Sequence, residues 1–126
     1  MRYLASFVRL ALCIAAQGHT TQSKEEFHRE GKKVLKALAK ALGLEQGTYE
    51  VRSNKAGPAV CGEVTLHGES VYVQLCGDSG HGILYRTVTS RTDYTGGPNQ
   101  WMKWDALLDL GLAAAAIRKT TGQAAA

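Results

Sequence analysis

Between Phe27 and Leu42 the apolar residues return every three or four positions. At about 100° per residue, Phe27, Gly31, Val34, Leu35, Leu38, Ala41 and Leu42 share one face of a helix. Arg29, Lys32, Lys33, Lys36 and Lys40 fall on the opposite face, within an arc of about 100°. Ser23 reads as the N-cap of this helix, with Glu26 in the capping-box position, and Gly43 supplies the stop. After Gly47 the period changes from helical to alternating, and residues 48–54, 59–67, 70–76 and 83–91 read as strands. Lys55-Ala56-Gly57-Pro58 reads as a turn, and Gly68-Glu69 as a two-residue hairpin turn. Residues 92–102 read as irregular, and a second helix opens at Trp104 or Asp105 and reaches about Lys119.

Counting outward from a Gly68-Glu69 turn sets Leu66 against Val71, Val64 against Val73 and Gly62 against Leu75 on a buried face. His67/Ser70, Thr65/Tyr72, Glu63/Gln74 and Cys61/Cys76 then share a more exposed face. The predicted fold is α+β: an antiparallel four-stranded sheet in the order α-β-β-β-β-α, with both long helices on one face. Each helix has a single apolar side to bury. Residues 23–119 form one domain and 120–126 a flexible tail.

Residues 1–22 support two readings. A basic start, an apolar stretch and Ala16-Gln17-Gly18 resemble a secretory signal, whereas Arg9 interrupts the apolar run. The other reading is a short amphipathic helix or an N-terminal extension outside the main domain, which would make these residues dispensable. The run is too short to span a bilayer, so no membrane partner is expected.

A net charge of +4 permits contact with nucleic acid or an acidic protein without requiring either. Three cysteines without a CxxC pair fit neither a secreted disulfide scaffold nor a zinc site, and point to a cytoplasmic protein. His19, His28, His67 and His81 lack metal-ligand spacing, so no metal and no cofactor is expected. Cys61 and Cys76 fall at a hydrogen-bonded cross-strand pair, a poor geometry for a disulfide.

One string invites a catalytic reading. GDSGHG at 77–82 resembles the nucleophile segment of trypsin-like serine proteases but departs from it at His81. One small sheet cannot supply the two barrels and the distant histidine and aspartate of such a triad, so Ser79 reads as a loop residue. The glycines at 77, 80 and 82 lack the GK[ST] of a phosphate loop. No catalytic residue is assigned. Tyr94, Asn99 and Trp101, around the Gly96-Gly97-Pro98 turn, read either as a partner-binding lip or as aromatics closing the edge of the core.

In element order the chain resembles the double-stranded RNA-binding domain, and Gly57-Pro58 stands in roughly the right loop. Ala59-Val60 replaces that family's loop histidine, and the last helix lacks its lysine cluster, so no residue role transfers. Phe27-His28-Arg29-Glu30-Gly31, Val64-Thr65-Leu66-His67 and Asp93-Tyr94-Thr95-Gly96-Gly97 resemble a group of small uncharacterised proteins of bacterial plasmids and phages. That resemblance implies a mobile-element setting and no mechanism. The function expected is non-enzymatic: an accessory protein contacting a nucleic-acid backbone, without sequence preference, or an acidic partner through Arg29, Lys32, Lys33, Lys36 and Lys40. The alternative is a protein–protein inhibitor or assembly factor acting through the open sheet face (Tyr72, Gln74, Arg86) and the 94–101 loop.

Overall fold

The structure is a computed structural model and describes residues 2–78 and 82–122. It is α+β. Helices α1 (Arg2–Gln17) and α2 (Thr21–Ala41) are followed by strands β1 (Glu50–Asn54), β2 (Glu63–His67), β3 (Val71–Cys76), β4 (Ile83–Thr87) and β5 (Gln100–Met102). A 3-10 turn (Trp104–Leu108) then leads into α3 (Leu110–Thr121). The strands form one antiparallel sheet in sequence order. The segment expected to be irregular thus carries a fifth, short edge strand, with Trp101 set against Leu84.

Helix α2 crosses β1 and β2, α3 crosses β4, and α1 packs on α2 and the 3-10 turn. The predicted apolar face of α2 is the buried one, with Phe27, Val34, Leu35, Leu38 and Leu42 enclosed. Its start differs from the Ser23 cap expected. Thr20 is the N-cap, accepting from the Ser23 amide at 3.0 Å, while the Ser23 hydroxyl accepts from the Thr20 amide at 2.8 Å. Serine at the third helical position thus does what Glu26 was expected to do. At the other end the Gly43 amide donates to Lys40 and the Leu44 amide to Ala39, closing the helix as the glycine foretells.

The N-terminal segment is not an appendage. Leu4, Phe7, Val8, Ala11 and Ile14 recur at helical spacing and are buried in the same core as the sheet, while Arg9 lies on the exposed side. Phe7 meets Phe27 with ring centroids 5.3 Å apart, and both meet Trp104, at 6.0 and 6.2 Å. The second long helix is also broken. Its first turn is 3-10, and Asp109 starts α3 afresh by accepting from the Leu112 amide at 3.1 Å. The expected tail falls largely outside the described residues, although Thr121 is a buried member of α3.

The β2–β3 hairpin turns one residue later than expected. The Gly68 amide donates to the Val71 carbonyl, so Glu69-Ser70 forms the turn, and Leu66 faces Val73 while Val64 faces Leu75. Every predicted pairing moves by two residues. Because side chains alternate with period two, such a shift keeps each residue on its face, and Val64, Leu66, Val71, Val73 and Leu75 remain buried. The Cys61/Cys76 pairing does not survive. Cys76 faces Glu63, and Cys61 precedes β2, where it is buried in the helix-side core. Gly62 makes that detour: its φ is 85°, and a side chain there would overlap the Asn54 carbonyl.

The N-terminal helix generates the first test. A chain beginning at His19, which keeps the Thr20 cap, is expected to lose most of its cooperative unfolding, read by urea denaturation. Phe7→Ala in the full chain is expected to cost about 3–5 kcal/mol. Unchanged stability in both would mean that α1 does not pack as described.

Candidate functional site

Three groups of polar residues stand out, and they do different things. The first is the outer face of α2. Arg29, Lys32, Lys33, Lys36 and Lys40 are all exposed, because the helix turns its apolar face to the sheet. Glu30 divides the stripe, pairing with Arg29 at 3.4 Å and Lys33 at 3.1 Å. Among the described residues, Lys32, Lys36 and Lys40 make no ion pair. They stand four residues apart, a row about 12 Å long at a rise of about 1.5 Å per residue. Lys36 and Lys40 also border a shallow groove of about 620 Å³, shared with Leu44, Gln46, Tyr49 and Val51.

The second group holds the irregular segment between β1 and β2. The ammonium of Lys24 donates to the Gly57 and Val60 carbonyls, both at 2.9 Å. The Asp78 carboxylate accepts from the Cys61 amide at 2.8 Å and the Gly62 amide at 3.0 Å. His28 lies between them, its Nε2 2.7 Å from the Cys61 carbonyl and its Nδ1 2.6 Å from the Ser53 hydroxyl. A carbonyl only accepts, so Nε2 carries the proton and donates it, and Nδ1 accepts from Ser53. A serine donating to an oriented histidine is also the start of a nucleophilic dyad. Here the histidine's remaining nitrogen is tied to the very loop it braces, and the reading the geometry favours is a latch between α2, β1 and that loop. Burial holds the His28 imidazole below its ordinary range, with the Cys61 hydrogen bond working against it and nearby Lys55 and Lys24 adding to the depression. The Cys61 thiol, buried beside Asp78, is pushed up to about 11.

The third group lies on the sheet face away from the helices. Expected to be the more exposed face, it is covered at one end, because the 88–97 segment folds back over it. His67 is fully enclosed, its Nε2 donating to the Ser90 and Asp93 carbonyls at 2.9 and 3.1 Å. Tyr94 and Tyr72 pack on the His67 ring at 4.9 and 5.4 Å, and the Arg86 guanidinium lies 5.1 Å over the Tyr72 ring. Arg52 donates to the Tyr94 hydroxyl at 3.1 Å and pairs with Glu50. Gly96 lets the segment close: a side chain there would overlap the Thr87 carbonyl, and the Gly97 amide donates to the Thr87 hydroxyl at 2.8 Å. Burial, with Glu63 and Tyr94 adding, pushes the Tyr72 hydroxyl up to about 12.

The structure therefore gathers the five cations of α2 on one surface, as expected, and separates the lip residues. Tyr94 (53% exposed) joins the His67 cluster, whereas Trp101 (41% exposed) stands on β5 beside Leu84 and Asn99 just before it. Ser79 and His81 lie outside the described residues. Among those described, no group of His, Cys, Asp and Glu could hold a metal ion, and no helix is long and apolar enough to cross a membrane. Lys24, His28, Asp78, His67 and Arg52 were missed. A signal existed for two of them, since positions 24 and 28 continue the 31, 35, 38, 42 phase of the buried face. Comparison with protein-family models, curated protein sequences and solved structures finds no match.

The latch has a signed pH dependence. His28 binds its proton less readily folded than unfolded, so its contribution is fully present above about pH 6.5 and is lost as pH falls below that value. Urea midpoints measured from pH 7.5 to pH 5 are expected to fall, with a shallower fall in His28→Gln; parallel curves would remove the latch. Iodoacetamide on the native protein should label exposed Cys13 and spare Cys61 until the chain unfolds. Rapid native labelling of Cys61 would contradict its burial.

Proposed function

We propose that this protein is a non-enzymatic nucleic-acid-binding protein that seats a phosphate backbone on the outer face of α2. The observation that carries the reading is the row of Lys32, Lys36 and Lys40, exposed on a helix anchored along its whole opposite side. Phosphate contact needs positive charge held in register, and a packed helix supplies register that loop lysines lack. Lysine meets phosphate as a point charge and reads no base edge, so binding has little sequence preference. Tyr49 and Gln46 in the groove beside Lys36 and Lys40 offer a ring and an amide to a sugar or base that follows the backbone. An accessory role in a bacterial mobile element, which the sequence resemblance implies, suits such a protein.

A second reading rests on a separate observation. Tyr94 and Trp101 are exposed aromatics on the face opposite the helices, near the Arg86–Tyr72 stack, and aromatics with arginine are frequent anchors in protein interfaces. On that reading the protein is an inhibitor or assembly factor for a protein partner.

Fluorescence anisotropy with generic DNA and RNA at several salt concentrations separates the two. Charge reversal at Lys32, Lys36 and Lys40 is expected to abolish binding and leave the melting temperature unchanged, because these side chains point away from the core. Neutralising one of them should lower the slope of log affinity against log salt by about 0.7–0.9. No binding by the unaltered protein at low salt would overturn the nucleic-acid reading. Capture of acidic polypeptide but not nucleic acid would replace it with an acidic protein partner.

A further inference from the structure

The surface of α3 carries a feature that neither reading uses. Leu112 is 70% exposed and Leu108 55%, the two most exposed large apolar side chains among the described residues. Both line a groove of about 420 Å³, together with Tyr85, Met102, Ala116 and the acidic residues Asp105 and Asp109. The same surface thus offers an exposed knob, Leu112, with a small residue, Ala116, on the same groove wall. Along the helix, Leu112, Ala116 and Lys119 follow at i, i+4 and i+7, so they share one face. Its two ends carry opposite charge: Asp105 and Asp109 at the start, Lys119 at the finish.

We infer that two copies of this chain associate through α3, running antiparallel about a two-fold axis, with Leu112 of each copy packed beside Ala116 of the other. The charges select the partner and its direction. Antiparallel pairing that sets Leu112 opposite Ala116 also sets Asp109 opposite Lys119 of the partner copy, and the two-fold axis makes both contacts twice. A parallel arrangement would oppose Asp to Asp and Lys to Lys. A large residue meets a small one at each crossing, and the alanines let the helix axes approach toward the short end of the usual range of about 8–10 Å. The pairing closes on itself, so it ends at a dimer and builds no filament. The patch is small beside the roughly 800 Å² per partner of a standard interface, so the dimer forms in the micromolar range or weaker.

Sedimentation velocity of the full chain, from about 1 µM to about 500 µM, tests this. Starting from a 13.6 kDa monomer, the mass should rise with concentration and saturate at twice that value. Leu112→Asp should remain monomeric throughout with an unchanged circular dichroism spectrum. Asp109→Asn, which keeps a capping side chain, and Lys119→Gln should each weaken the dimer about three- to tenfold, the double variant no more than the stronger single. That cycle decides the matter even if Leu112→Asp misfolds. A monomer at every concentration, open-ended growth in mass, or a dimer indifferent to these substitutions would overturn the proposal.

Discussion

Phe27 stands where α1, α2 and the 3-10 turn meet. It touches Phe7 of α1 and Trp104 of the 3-10 turn, and its own helix lies on β1 and β2. Each of these aromatic rings has its apolar area covered by the other two, so none of the three elements can leave without exposing the rest. That mutual cover explains why a helix with Arg9 near its middle is nonetheless structural: the charge faces out while Phe7 completes the aromatic cluster. It also explains where the 3-10 turn sits, because Trp104 must reach the cluster from the end of β5, and α3 can start only after that. Arg118 then ties α3 back to α2 by donating to the Ala41 carbonyl at 3.0 Å.

Polar residues divide by the direction in which they leave that frame. Lys24 and His28 follow the buried side of α2, and the fold uses them, with Asp78, to satisfy backbone groups of the irregular segment between β1 and β2. The lysines on the other side face water. One helix therefore serves two purposes: its inner lysine and histidine fix an irregular loop, and its outer cations present charge on a rigid support. The open sheet face is divided in a similar way. His67 is consumed by the 88–97 segment, while Tyr94 and Trp101 remain exposed.

How much of this was legible depends on how local the governing interaction is. The apolar and basic faces of α2 follow from a periodicity that any reader of the chain can count, and the structure places those residues as counted. The faces of β2 and β3 were legible for the same reason. Their register was not, because moving the turn by one residue leaves every side chain on its face, and only contacts such as the His67–Tyr72 pair distinguish the two. The Thr20 cap was hidden by a choice among Thr20, Thr21 and Ser23, all competent to cap. The edge strand β5 is three residues long, below what alternation can reveal.

By itself, then, the sequence determined the α+β class, the helix that carries the charge, and which side chains of the central hairpin face inward, since each of these is written in a repeat of two or about 3.6 residues. Only the tertiary structure decided that α1 belongs to the core, that Cys61 turns inward away from Cys76, and that Asp78 and His28 serve as struts. Those outcomes depend on which distant segments meet. Phe7 needs Trp104, Cys61 needs the detour at Gly62, and His28 needs a carbonyl 33 residues along the chain. No local pattern encodes such meetings, because they are selected by the packing of the whole.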